Sequence, residues 1–249
     1  VIRQAVRPSP LFLLILAITV VGCFLSTVDN KVVMTIGIVL TVLGGWTASL
    51  CLHEFGHAIF AYRGGDHSVV FKGYLTLDPR RYTDPVLSLL LPLLFLAIGG
   101  VPLPGGAVWV NRHALRNKGA ESAVSLAGPL ANLGIGILLV LAVAITQPAV
   151  GLAAALSYLA LLQVMAFVLN ILPVPGLDGY GAIEPYLPYR YQEMGAKARQ
   201  WAPLVLFAVL IGIPAINTAF HSVSGGLLEL VGGNSDAAYT GQYLFMFWR

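Results

Sequence analysis

Charge is what this sequence lacks. Only 10% of its 249 residues are Asp, Glu, Lys or Arg, against about 25% in ordinary soluble domains. With 57% hydrophobic residues, a chain built to fold in water is excluded and a membrane protein is expected. Soluble stretches longer than about 30 residues are also missing, so there is no room for an appended globular domain, and no internal repeat is visible. Cysteine is scarce: Cys23 and Cys51 both lie in apolar runs, which excludes a disulfide framework and suits small packing residues. The net charge of +3 comes without a basic cluster interleaved with aromatics, so nucleic-acid binding has no support.

What is there is a series of apolar runs near or above the roughly 20 residues that cross a bilayer. They cover Leu11 to Val28, Val32 to Tyr62, Ala120 to Ile145, Ala149 to Ile171 and Trp201 to Phe220. The first is too long for a signal-peptide core and reads as a transmembrane helix. A sixth run, Pro85 to Val101, contains Pro92 and ends in Gly99-Gly100, as expected of a re-entrant segment. The β-formers of Ser68 to Leu77 and of Ala107 to Asn111 predict two strands paired as a small sheet at the membrane edge. The expected fold is therefore all-α and polytopic, a single domain over 1–249 with about five to six transmembrane helices, that sheet and the re-entrant segment. If Pro85 to Val101 does not cross, every basic residue except Lys31 and Arg249 falls on one side, which the distribution of Lys and Arg makes cytoplasmic.

The chemistry sits in His53-Glu54-Phe55-Gly56-His57. Histidines four apart on a helix project from one face, the spacing at which two imidazoles share a tetrahedral zinc, and Glu54 beside them is placed as general base. With five His and five Glu in the chain, chance yields this pattern about 0.002 times per sequence of this length. Two histidines and a glutamate in an apolar helix are costly in hydrocarbon, so a functional reading is the default. His67, His113 and His221 stand singly and read as interfacial. A third protein ligand is needed, with the fourth position left for water. Asp178 is the first candidate, because Asn170 to Gly179 breaks an apolar helix with two prolines and two glycines, tolerated in a membrane only where it lines a protein or water cavity. Glu184 is the alternative ligand.

Three runs occur in the order found in the site-2 protease family of intramembrane zinc proteases, which the chain resembles. They are His-Glu-x-x-His-Ala at His53 to Ala58, Gly-Pro-x-x-Asn at Gly128 to Asn132, and Asn-x-x-Pro-x-Pro-x-Leu-Asp-Gly at Asn170 to Gly179, framing a core of about residues 32–190. The resemblance implies one Zn2+ held by His53, His57 and Asp178, with Glu54 as base. It also implies that Asn132 lies close by to hold substrate or stabilise the oxyanion. On its own Asn132 reads equally as a helix–helix hydrogen bond. The likeness is to the compact bacterial branch without PDZ or CBS domains, which implies a prokaryotic plasma membrane.

The expected activity is that of a zinc metalloendopeptidase, hydrolysing peptide bonds in or near transmembrane segments of protein substrates, as in regulated intramembrane proteolysis. The active site would lie toward the cytoplasm. Gly105 and Gly106 are expected to serve a gate formed by the Pro85 to Gly106 stretch, and the two strands to accept an unwound substrate. The alternative is a catalytically inactive scaffold that binds transmembrane partners, which would have no need of Glu54. A metal transporter would require more intramembrane acids and histidines than are present. The tail, His221 to Arg249, offers Tyr239, Tyr243, Phe245, Phe247 and Trp248 as an interfacial anchor.

Overall fold

A computed structural model of the chain describes residues 6–82, 96 and 108–248. Helix α1 (Pro10–Leu25) starts where Ser9 accepts a hydrogen bond from the Phe12 amide and Pro10 occupies the first turn, where a missing N–H costs nothing. Helix α2 (Lys31–Gly64) is capped by Asn30, which accepts from the Val32 and Val33 amides, and stops at Gly65, whose φ of 124° suits glycine. Its 34 residues extend about 51 Å, well beyond the roughly 30 Å of a hydrocarbon core. The short α3 (Ser68–Phe71) follows. Beyond it come α4 (Lys118–Thr146), capped by Asn117, α5 (Val150–Asn170), α6 (Asp178–Ile183), α7 (Tyr189–Ala198), α8 (Ala202–Gly212), α9 (Pro214–Leu230) and α10 (Ser235–Phe245).

Among the described residues α2, α4 and α5 are long and apolar enough to cross a membrane, and α8 with α9 makes a fourth only if the pair, bent by 97°, is one span. The bend falls at Ile213, held at φ −114°, ψ 101° because the residue before a proline is driven out of the helical region. Helix α1, 16 residues long, reaches about 24 Å. Among the described residues the count is therefore three to four, against the five to six expected of the whole chain. The expected re-entrant segment, apart from Leu96, and the gate glycines Gly105 and Gly106 lie outside the described residues.

Helix α5 is the central post. It is apolar on every side, as a helix buried all round must be, and packs Tyr158, Leu161, Leu162 and Met165 against Ile38, Val42 and Trp46 of α2, Leu228 of α9 and Phe245 of α10. The C-terminal tail is thus helical where α10 meets α5, with the Tyr158 and Phe245 rings 5.6 Å apart. At its other end, α2 is tied to the start of α4 by a bond from the Arg116 amide to the Gly64 carbonyl, 2.9 Å. Helix α4 then returns antiparallel along α2.

The expected sheet is not present: no strand occurs among the described residues. Ser68–Phe71 is α3, Tyr74–Thr76 is a 3-10 turn, and Gly73 and Leu77 on either side of that turn are left-handed. Residues 108–111 have no regular structure, while Ala107 lies outside the described residues. Side chains take the backbone groups that a ladder would use. The Val108 amide donates to Glu54 (3.1 Å), the Asn111 amide to Asp66 (2.7 Å), and the Trp109 carbonyl accepts from Lys72 Nζ (2.9 Å). Burial of Val69, Tyr74 and Leu75 against α2 overrides their β-propensity, which reflects how well a side chain packs on a pleated surface.

Candidate metal centre

His53 and His57 lie on consecutive turns of α2, both buried, with their Nε2 atoms 3.0 Å apart. Asp178, the first residue of α6, brings Oδ2 to 3.3 Å from His53 Nε2 and 3.5 Å from His57 Nε2. A zinc with bonds of about 2.0–2.1 Å at tetrahedral angles holds its ligand atoms about 3.3–3.4 Å apart. The three separations bracket that value.

The far side of each imidazole strengthens the case. His57 Nδ1 lies 2.7 Å from the Val124 carbonyl, which can only accept, so Nδ1 carries the proton and Nε2 presents its lone pair. His53 Nδ1 is 2.7 Å from Asn132 Oδ1 and is read in the same tautomer. Two lone pairs and a carboxylate oxygen therefore converge on one point, an arrangement that repels itself without a cation and is the usual form of metal-ligating histidine.

Space at that point exists because residue 128 has no side chain. A Cβ there would lie 2.3 Å from His57 Nε2 and 2.6 Å from His53 Nε2, filling the cradle. On α2, Gly56 permits the same approach, since a Cβ would stand 2.9 Å from the Ala127 carbonyl. Pro129 within α4 removes the N–H that would bond the Ser125 carbonyl, one residue from the Val124 carbonyl that reaches His57. Glu54 is fully buried one residue from His53, with Oε2 fixed by the Val108 amide.

Among the described residues, His53, His57 and Asp178 form the group able to hold a metal. Glu184 does not join it: both of its carboxylate oxygens are bonded to arginines. Asn132 lies beside the group, with its Oδ1 on His53 Nδ1. The Val124 carbonyl and Val108 amide were missed by sequence reasoning, because backbone groups carry no residue signature. Cys23 and Cys51 are free thiols.

No protein-family model and no solved structure matches the chain. Among curated sequences it is 45% identical over 252 residues to a protein of Mycolicibacterium smegmatis named as a zinc metalloprotease, Rip2, covering 99% of this chain and 96% of that one. Rip2 of Mycobacterium tuberculosis is 46% identical over 251 residues with the same coverage. YwhC, also named a zinc metalloprotease, from Bacillus subtilis, is 33% identical over 177 residues, 67% of this chain and 77% of its own. With its long apolar helices and its likeness over nearly the full length to the two Rip2 proteins, the chain belongs to the site-2 protease-like zinc metalloproteases, a membrane enzyme whose metal is zinc.

Proposed function

We propose that this protease is an intramembrane endopeptidase, cleaving peptide bonds in or beside the transmembrane segments of other membrane proteins. His53, His57 and Asp178 hold the zinc and Glu54 is the base. The observation that carries the reading is where the metal group lies. His53 and His57 are buried within the last turns of α2, and their contacts to Val124 and Asn132 seat them against α4, so the group is enclosed between two helices that are each long and apolar enough to cross a membrane.

Bound zinc supplies Lewis acidity, polarising the scissile carbonyl and making water a nucleophile near neutral pH. The chain does the rest. Oε2 of Glu54 is held by Val108, leaving Oε1 to take the proton of the attacking water and return it to the departing amide nitrogen. The Nδ2 group of Asn132 is the donor assigned to the oxyanion, while its Oδ1 keeps His53 in place. A substrate helix must unwind locally, because its carbonyls are otherwise bonded within the helix, so substrates with a helix-breaking residue near the cleaved bond are favoured.

The test is metal analysis of wild-type, Glu54→Gln and His53→Ala proteins beside cleavage of a transmembrane substrate in proteoliposomes. Zinc in the first two and cleavage only in the wild type is expected, with His53→Ala losing both. Normal cleavage by Glu54→Gln would refute Glu54 as the base. Zinc without cleavage in wild type, across substrates with and without helix breakers, would favour the scaffold.

A further inference from the structure

Glu184 begins the 3-10 turn Glu184–Tyr186 directly after α6, the six-residue helix that opens with Asp178. Its side chain is only 7% exposed, and its oxygens meet two arginines. Arg199 Nη2 donates to both oxygens at 2.9 Å, and Arg112 Nη1 donates to Oε2. The arginines come from different places. Arg199 caps the end of α7, and Arg112 follows the same stretch, 108–111, whose first amide holds Glu54.

A six-residue helix has too few internal bonds to hold itself in place. On its N-terminal side α6 hangs from a loop with Pro173, Pro175 and Gly176 at φ 98°. Its flank is fixed to α4, where Ser122 Oγ donates to the Ala182 carbonyl at 2.6 Å. Its C-terminal end is fixed through Glu184. We propose that Glu184 is a positioning residue, a buried carboxylate clamped by Arg112 and Arg199, which sets the place of Asp178 at the metal and locks α6 to the stretch that orients Glu54. A buried acid stripped of its partners is strongly unfavourable, so the clamp has two states, made or broken, and the ligand helix follows it.

The proposal rests on the zinc reading above, and one experiment separates the two. Zinc affinity is measured by chelator competition on full-length protein in detergent, together with the visible absorption of the Co2+-substituted form. Glu184→Gln is expected to weaken zinc about 10- to 100-fold, the usual cost of losing an outer-shell partner, and to shift the cobalt bands. Glu184→Asp, which keeps the charge, is expected to restore most of both. Glu193→Gln, breaking the exposed Lys197 pair, is expected to change neither. A merely structural role would lower thermal stability without moving the cobalt bands. Zinc affinity within about twofold of wild type and an unaltered spectrum in Glu184→Gln overturns the clamp. Should that variant not fold, Arg112→Gln and Arg199→Gln, at half-exposed positions, give the same reading, and wild-type zinc affinity in both overturns it. If Asp178→Asn binds zinc like wild type, the ligand assignment fails and the clamp with it. If Asp178→Asn loses zinc while Glu184→Gln keeps it, only the clamp fails.

Discussion

At the scale of single residues, the proposed mechanism gives Asn132 two functions that substitution can separate. Its Oδ1 accepts from His53 Nδ1, while its Nδ2 is the proposed oxyanion donor. Asn132→Ala removes both and is expected to weaken zinc about 10- to 100-fold, read by chelator competition. Asn132→Asp keeps an oxygen for His53 and loses the amide N–H. Zinc should stay while kcat falls about 10²- to 10³-fold, the cost of one oxyanion donor. Unchanged kcat in the zinc-loaded Asp variant would leave Asn132 with the histidine alone. Gly128→Ala is sharper still, since its Cβ would stand 2.3 Å from His57 Nε2. Loss of zinc with helical content intact is expected from metal analysis and circular dichroism. The grouping of His53, His57 and Asp178 was legible in the sequence because it rests on helical periodicity, which places residues four apart on one face, and on a helix broken by Pro and Gly beside an acid.

At the scale of elements, legibility falls off where side chains compete with backbone. Ser68 to Leu77 has a strand's composition, but Asp66, itself fully buried, accepts from the Ser68 amide through Oδ1 (3.0 Å) and from the Asn111 amide through Oδ2 (2.7 Å). One carboxylate thereby starts α3 and holds residues 108–111 in place of a ladder. Composition cannot reveal this, because the partner of Asp66 is 45 residues away. Glu184 was open in the same way: sequence marked an acid near the site, and only the approach of Arg112 and Arg199 decided its use. Asp66→Ala leaves two amides without a partner, each costing about 1–3 kcal/mol if buried. A lower thermal midpoint and faster proteolytic nicking between 108 and 117 are expected, with Asp66→Asn, which retains one acceptor oxygen, about half as affected. Equal resistance of all three proteins would show that the stretch is held by something else.

At the scale of the whole molecule, the helices fix which ends lie together. The bond from Arg116 to Gly64 places the start of α4 at the end of α2, and the His57–Val124 and His53–Asn132 contacts keep the two antiparallel. Since α5 returns from the far end of α4 to Asn170, near Asp178, Arg63, Arg116, Lys118 and the basic residues of α7 gather at the end nearer the metal group. Lys31 and the turn between α4 and α5 lie at the other. The bias of Lys and Arg toward cytoplasmic loops is the ground for proposing that the site opens toward the cytoplasm. Cysteine labelling in cells decides it. Cys51 is fully buried and Cys23 is partly so, so a Cys23→Ala background is close to silent. In it, Lys118→Cys and Tyr189→Cys should react with a membrane-impermeant maleimide only after the cells are opened. Asp29→Cys and Ala149→Cys, exposed at the other end, should react in intact cells. The reverse pattern would place the proteolytic site at the outer face, and substrates would then have to present their cleaved bond from that side.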